Sequence, residues 1–408
     1  MKIKTLLSEV KFWFENFKFR MFGKNKSLII SFDRSIHQDS SDEKDPTLFS
    51  QELQKYIDSK KEFYSSVLNY LESSDCSDDE FKSLIKIIDV QQFDKSDKEY
   101  EHFLLMIEHI SNNHHRDEIF LKKIFQILQY YKNQIKKTLS NLQIFNIFRA
   151  NKMLLLFLIE NEIIEVDENI FREINNTYEN NGNRYCDFFY PEIKKFLDQS
   201  QREEIEAKLL SKEDNIFEQF DEKRHKGEND SYICTLIRED SYDDFIKYVN
   251  RTNINLKSDI VSSIYETNRF LNEKNPTLIE YAAFFGSIQI FQFLMISQVE
   301  LTPSLWLYTI HSKNADLIHL LEYNKVPPPK YDNTNIYTQC LIESIKCHHN
   351  DICEYIKNNL IEFDRIDSKD YENTISSILY YHNYFNFPND FDTDDEFFYL
   401  CKFKLFYL

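Results

Sequence analysis

The stretch Asn275–Leu294, NPTLIEYAAFFGSIQIFQFL, carries the strongest structural signal in this sequence. Its small residues, Ala282 and Ala283, allow two helices to approach closely, and Gly286 can adopt the backbone conformation of a turn between them. Apolar residues at helical spacing follow and form one face of a second helix: Ile288, Ile290, Phe291 and Leu294. The stretch therefore predicts a helix–turn–helix hairpin.

This signal stands out because the 408-residue chain contains only 4 Gly, whereas about 7% is usual. Looser copies of the hairpin flank it: ICTLIREDSYDDFIKYV (233–249), LTPSLWLYTIHSKNADLIHLL (301–321) and TQCLIESIKCHHNDICEYI (338–356). The predicted turn positions are Ser241, Gly286, Lys313 and His348, with spacings of 45, 27 and 35 residues. We therefore expect an irregular array with insertions.

The stretch PTLIEYAAFFG resembles the ankyrin repeat pattern T-P-L-H-x-A-A-x-x-G, whose ideal period is about 33 residues. Leu278 stands at the proline position of the pattern and Glu280 at its histidine position. Residues that the resemblance gives a structural role in the repeat are Pro276, Thr277, Ala282, Ala283, Gly286 and Pro303. The wider sequence resembles a large protist family of divergent ankyrin-repeat proteins with a helical N-terminal region of unassigned function. This resemblance implies a protein-binding adaptor without catalytic residues.

Helical periodicity also dominates the sequence before the hairpins, from Leu48 onward, with short polar turns between segments. The predicted fold class is all-α, an α-solenoid of stacked helix hairpins that is ankyrin-like in its C-terminal half. The predicted divisions are a basic amphipathic appendage (1–34), an acidic linker (35–46), a helical-hairpin region (47–225), ankyrin-like repeats (232–360) and an aromatic, acidic tail (361–408).

Charge and cysteine usage narrow the classes of function. A net charge of −19 argues against nucleic-acid binding, which depends on Lys and Arg at the phosphates. Seven irregularly spaced cysteines indicate free thiols in a reducing compartment. The longest apolar run, Met153–Ile159, is far shorter than the roughly 18–20 residues that span a bilayer. We expect a soluble, cytoplasmic monomer.

The first 22 residues leave two interpretations open. Their apolar residues recur at helical spacing among lysines, which is typical of a helix on a membrane surface. The other interpretation is a helix that caps the end of the helical array. The leading functional hypothesis is a non-enzymatic scaffold or adaptor that binds other proteins, and the alternative is a membrane-peripheral protein held by residues 1–22.

In an ankyrin stack the first helices and their preceding loops form a concave binding face. The resemblance places seven residues on or near this face: Lys274, Asn275, Glu280, Thr302, Ser304, Trp306 and His311. Trp306 is either an exposed anchor for a partner, because Trp is enriched in interface hot spots, or a residue buried between repeats.

Five possible metal ligands lie near the third looser copy: Cys340, Cys347, His348, His349 and Cys353. The gaps between the cysteines differ from the C-x₂₋₄-C spacing of structural zinc sites. His114 and His115 lie in a similar turn, and both histidine pairs are followed by x-Asp, so a recurring turn accounts for them. Because nucleotide-binding, metallopeptidase and hydrolase motifs are also missing, we expect no metal, cofactor or catalytic site.

Overall fold

The computed structural model describes residues 46–91, 97–114, 117–177, 184–211, 218–330, 337–361 and 368–388. Within these ranges it contains 22 α-helices and no strands, which confirms the all-α prediction. The predicted appendage 1–34 and nearly all of the linker 35–46 lie outside the described residues. Residues 1–22, with their expected membrane-surface or capping role, are therefore also outside the described residues.

The N-terminal helices are α1 (Pro46–Glu72), α2 (Asp78–Val90), α3 (Asp97–Asn113), α4 (Glu118–Tyr130), α5 (Lys132–Thr138), α6 (Asn141–Phe148), α7 (Lys152–Glu160), α8 (Glu168–Asn176), α9 (Tyr185–Phe188), α10 (Tyr190–Ile193), α11 (Gln199–Leu210) and α12 (Phe220–Lys226).

The C-terminal helices are α13 (Tyr232–Arg238), α14 (Tyr242–Thr252), α15 (Arg269–Lys274), α16 (Leu278–Phe285), α17 (Ile288–Ile296), α18 (Leu305–Ser312), α19 (Ala315–Tyr323), α20 (Thr338–Lys346), α21 (Asn350–Tyr355) and α22 (Ser368–Tyr380). A π-helical turn, Ile356–Leu360, continues α21, and a 3₁₀ turn, Tyr384–Asn386, follows α22.

Local sequence sets where many of these helices begin. The residue before the helix accepts backbone N–H bonds through its side chain at nine starts: Ser77, Asp117, Ser140, Asn151, Asp167, Asp198, Asn268, Thr277 and Asn314. Short polar side chains favour this position because they satisfy donors that the first turn leaves unpaired. Thr277 and Glu280 form a reciprocal capping box at the start of α16.

Five helices, which we call the helix row, pack one on the next in chain order: α13, α16, α18, α20 and α22. Ala282 and Ala283 are fully buried in α16, where it packs on α13, α17 and α18. Gly286, Lys313 and His348 have positive φ at the ends of α16, α18 and α20, which confirms these three predicted turn positions. The predicted turn at Ser241 is one residue late, because Asp240 carries the positive φ of +47°.

The wide spacing between the first two turns has a structural cause. Residues 258–278, which we call the closed loop, are joined at their ends: the Ile260 N–H donates to the Pro276 carbonyl at 2.7 Å, and the Leu278 N–H to the Ser258 carbonyl at 3.2 Å. Helix α15 lies within the loop and packs Phe270 against α18, with ring centroids 4.9 Å from Tyr308. The insertion thus covers part of the row's surface.

The N-terminal helices pack against the far end of the row. Helix α1 contacts the 3₁₀ turn Tyr384–Asn386, and α3 contacts α20. Lys313 Nζ reaches Glu72 Oε1 of α1 at 2.7 Å. The buried apolar side chains of both parts form one continuous cluster. Helix α22, in the segment assigned to the tail by sequence, belongs to this packing because it lies on α20.

In the described part of the chain, no helix is both long and apolar enough to cross a membrane. Six cysteines in these ranges are free thiols: Cys76, Cys186, Cys234, Cys340, Cys347 and Cys353. Cys401 lies beyond the last described residue.

Candidate interaction surface

Two of the seven predicted binding residues are exposed, Lys274 and Asn275 at the end of α15. In the antiparallel pairing that closes the loop, Asp259 opposes Thr277, which places Val261 opposite Asn275. The Val261 side chain is 79% exposed. The sequence does not distinguish this valine from its buried neighbour Ile260, because both are β-branched apolar residues side by side in the chain.

Three predicted residues, Glu280, Thr302 and Ser304, are half-buried and hydrogen-bonded together. The Ser304 hydroxyl donates to Glu280 Oε1 at 2.5 Å and lies 2.7 Å from the Thr302 hydroxyl. Glu280 Oε2 accepts the Thr277 N–H at 2.9 Å. These side chains therefore join the start of α16 to the loop before α18, which leaves less of their hydrogen-bonding capacity for a partner.

Trp306 is 1% exposed, so the interpretation of an exposed anchor is wrong and burial is what the structure shows. Its indole Nε1–H donates to the Val326 carbonyl at 2.9 Å, and its ring meets Tyr337 edge-on at 5.5 Å. Trp306 is buried because its indole N–H donates to a carbonyl just after the next helix, α19, while its ring fills the space beside Tyr337.

His311 is also buried, at 2% exposure, so it too is inaccessible to a partner in this structure. It lies between Phe270 of the closed loop and Phe284 of α16, with ring centroids 4.2 and 5.1 Å away. Its Nε2 lies 2.7 Å from Glu343 Oε1 and its Nδ1 lies 3.4 Å from Cys347 Sγ. Glu343 and Cys347 are one turn apart on α20, so a thiol, an imidazole and a carboxylate form a chain.

The electrostatics of this chain favour a resting hydrogen-bond network. Burial alone would raise the pKa of Glu343, but the ammonium of Lys346 at 2.9 Å and the hydrogen bond from His311 lower it to about 2. Burial raises the pKa of the Cys347 thiol well above its ordinary value. Because the thiolate is the reactive form of cysteine, the order thiol–imidazole–carboxylate does not by itself make Cys347 a nucleophile.

The thiol, imidazole and carboxylate of these three residues are also common metal ligands, and their ligand atoms lie within 4.8 Å of one another. Both ring nitrogens of His311 already face protein atoms, and Lys346 neutralises Glu343. A hydrogen-bonded chain accounts for the arrangement. The sequence gives no sign that His311 and Glu343 lie together beside Cys347, because His311 comes from the preceding helix of the row.

Four of the five candidate ligands named from sequence face different partners, and the fifth, Cys340, is fully buried in α20. Cys347 faces His311, while His348 Nδ1 lies 3.0 Å from the Tyr64 hydroxyl of α1. His349 Nδ1 lies 2.8 Å from the Ile310 carbonyl, and Cys353 Sγ donates to Asn386 Oδ1 at 2.8 Å. His348 and His349 therefore connect the end of α20 to α1 and to α18.

A small cavity borders the closed loop and the start of α16, with Asn229, Glu266 and Tyr281 in its lining. Its volume of about 20 Å³ accommodates one water molecule. Comparison of the chain with family models, with curated proteins and with solved structures finds no match.

Proposed function

We propose that this chain is a non-enzymatic scaffold that binds other proteins, and that its helix row is an irregular, ankyrin-like α-solenoid. Support comes from the consecutive packing of the row and from the left-handed residues that end four of its helices, α13, α16, α18 and α20. The Thr277–Glu280 capping box falls within the stretch that resembles the ankyrin pattern. A rigid stack of this kind is suited to presenting a fixed surface.

The proposed binding site, which we call the loop surface, consists of the exposed side chains of residues 259–261, 273–275 and 300–303. These residues belong to the loops before α16 and α18. Val261 carries the proposal, because a 79% exposed valine on backbone held by paired hydrogen bonds offers apolar contact without a large ordering cost. The other exposed side chains of the loop surface include three acidic groups, Asp259, Glu273 and Glu300, and one cation, Lys274.

A matched pair of variants tests this surface. Val261→Asp and Lys274→Glu change the loop surface, whereas Val90→Asp places the same charge on a valine that is 74% exposed at the end of α2. Proteins captured by the tagged wild-type chain should be lost from the Val261→Asp sample and kept by the Val90→Asp sample. We expect at least a tenfold loss of affinity for a partner that buries Val261, since an interface anchor contributes about 1.4 kcal/mol or more.

Equal capture by all variants, with unchanged circular dichroism, would reject the loop surface. If the wild-type chain enriched no protein over a scrambled bait, the scaffold role itself would fail.

A further inference from the structure

Six of the chain's eleven histidines gather where the N-terminal helices meet the end of the helix row. We call this place the histidine junction. Its members are His102 and His109 of α3, His114 just after α3, His348 and His349 after α20, and His382 after α22. Neither the proposed scaffold function nor the loop surface uses these residues, so the inference below does not rest on that proposal.

The rings are close and nearly shut off from water. The Nδ1 atoms of His109 and His382 face each other at 3.4 Å. The His114 ring meets His349 edge-on at 4.9 Å and stacks on Phe120 at 4.4 Å. His348, His349 and His382 are 1%, 0% and 6% exposed. Such contacts suit neutral rings, each with one N–H donor and one acceptor nitrogen.

The junction offers little negative charge to balance added protons. On α1, Glu72 already pairs with His114 at 2.9 Å and with Lys313 from the end of α18 at 2.7 Å. On α20, Glu343 pairs with Lys346. Glu108 of α3 lies 3.6 Å from His109 Nε2, and burial raises the pKa of its carboxyl, which keeps it protonated and neutral.

Cations, the carboxylates paired with them and buried phenols are among the other titratable groups near these rings. Lys60 of α1 pairs with Glu99 of α3 at 2.6 Å, and Arg269 of α15 pairs with Glu273 at the same distance. From α22 and the residue after it, Tyr380 stacks on His109 at 5.2 Å and Tyr381 meets it edge-on at 5.6 Å. Tyr64 of α1 and Tyr384 of the 3₁₀ turn are buried phenols.

We propose that the histidine junction is an acid-sensitive contact, in which protonation of its imidazoles below about pH 6 separates α1 and α3 from α20 and α22. Neighbouring rings of the junction have centroids about 5–6 Å apart in a site that water does not screen, so added charges on them repel strongly. Burial and, after it, the charges of neighbouring histidines lower the pKa of His348 and His382. Separation of the helices relieves the repulsion between protonated rings, because the exposed imidazoles are hydrated again.

The effect is local because the described histidines outside the junction do not share its environment. His225 and His319 are exposed on α12 and α19, and His311 lies beside the Glu343 carboxylate. The neighbouring pair α16 and α17 contains no histidine and is held by buried apolar residues. The inner helices of the row should therefore stay packed when the junction opens.

Hydrogen exchange measured by mass spectrometry tests the proposal on the full chain at about pH 7.5 and about pH 5.5, with exchange times scaled to the intrinsic rate at each pH. We expect residues 60–72, 100–114, 345–361 and 368–386 to lose protection at least tenfold at the lower pH, while 278–296 keeps it. The proposal is overturned if the junction segments stay equally protected, or if they open only together with 278–296.

Two double variants sharpen the test. His348→Asn/His382→Asn removes two protonation sites, and Asn tolerates the positive φ of 58° at both positions. We expect its opening midpoint to fall by about 0.5 pH unit or more. The control, His225→Asn/His319→Asn, removes two exposed imidazoles and should leave the midpoint unchanged.

Equal shifts in both double variants would also overturn the proposal. If circular dichroism shows that His348→Asn/His382→Asn is unfolded at about pH 7.5, hydrogen exchange of the wild-type chain at the two pH values alone decides whether the proposal holds.

Discussion

At the scale of single residues, the scarcity of glycine has a direct structural consequence. Nine non-glycine residues in the described ranges have positive φ: Glu162, Asp240, Asn253, Asn275, Gln298, Lys313, Lys325, His348 and His382. At several of them the next N–H reaches back five residues to a helix carbonyl, as Ser241 does to Leu236 and His349 to Ser344. This hydrogen bond is the Schellman motif, whose left-handed residue is usually Gly. The chain therefore keeps the turn geometry at some conformational cost.

Gln298 and Gly286 give a pair of opposite predictions at this scale. Gln298→Gly should raise the free energy of unfolding by about 0.5–1 kcal/mol, because an exposed side chain at φ +60° is strained and glycine is not. Gly286→Ala should lower it by about 1–2 kcal/mol, since φ is +72° there. Urea unfolding followed by circular dichroism measures both. A stabilising Gly286→Ala, or a destabilising Gln298→Gly, would contradict this account.

At the scale of elements, the end of one helix is satisfied by a side chain from another. Lys123 of α4 is 2% exposed, and its Nζ donates to the Tyr70 carbonyl at 2.7 Å and to the Ser73 carbonyl at 2.8 Å. It also reaches Glu80 of α2 at 3.2 Å. The ammonium thus caps carbonyls at the C-terminus of α1, where a positive charge is favoured. One residue holds three helices together.

We expect Lys123→Met to lower the free energy of unfolding by about 2–4 kcal/mol, because methionine fills the space but leaves buried carbonyls and Glu80 without their donor. The neighbouring Lys122 is the control. Its side chain is 69% exposed and pairs only with Glu118 one turn away, so Lys122→Met should change stability by less than about 0.5 kcal/mol. Similar losses in both variants, measured by urea unfolding, would exclude a capping role.

At the scale of the whole molecule, the two parts of the chain share one core, and buried ionisable groups lie where they meet. Burial lowers the pKa of His109 from 6.5 to about 4 and lowers those of His348, His349 and His382. When the pKa of a histidine falls on folding, the folded state has its full stability above the pKa of that histidine in the unfolded chain, near 6.5. This stability is lost as the pH falls below that value. The contribution of Glu108 to stability has the opposite pH dependence, because burial raises the pKa of its carboxyl from 4.5. Its stabilising contribution is complete below 4.5 and is lost as the pH rises.

The stability of the chain should therefore decline on both sides of neutrality. We expect the urea midpoint to fall as the pH drops from about 6.5 to about 4, because histidines of the unfolded chain take up protons that the buried rings do not. It should also fall as the pH rises from about 6.5 to about 8, because the Glu108 carboxyl is already ionised in the unfolded chain but still holds its proton in the folded one. Above about pH 8 this contribution of Glu108 no longer changes. Glu108→Gln should remove most of the alkaline decline and leave the acid decline in place, because glutamine stays neutral. An alkaline decline of wild-type size in Glu108→Gln would show that another group causes it.

Much of this organisation could be predicted from sequence because it depends on residues close together in the chain. The helical class follows from apolar spacing, and the turns at Gly286, Lys313 and His348 follow from the hairpin pattern. Those signals are local, since a helix and its cap are formed within a few residues. The turn at Ser241 was misplaced by one residue because neither Asp240 nor Ser241 is glycine, so composition could not distinguish them.

The positions of side chains relative to distant parts of the chain depend on tertiary packing and could not be predicted. Sequence could not choose between exposure and burial for Trp306, because the choice depends on packing against Val326, just after α19, and Tyr337, just before α20. Nor could it bring His109 to His382, which are 273 residues apart and whose Nδ1 atoms lie 3.4 Å apart. The helical class and three of the four predicted turns follow from local sequence, because they depend on short-range hydrogen bonds and periodicity. Burial, exposure and the histidine junction depend on contacts between remote segments, which exist only once the helices pack.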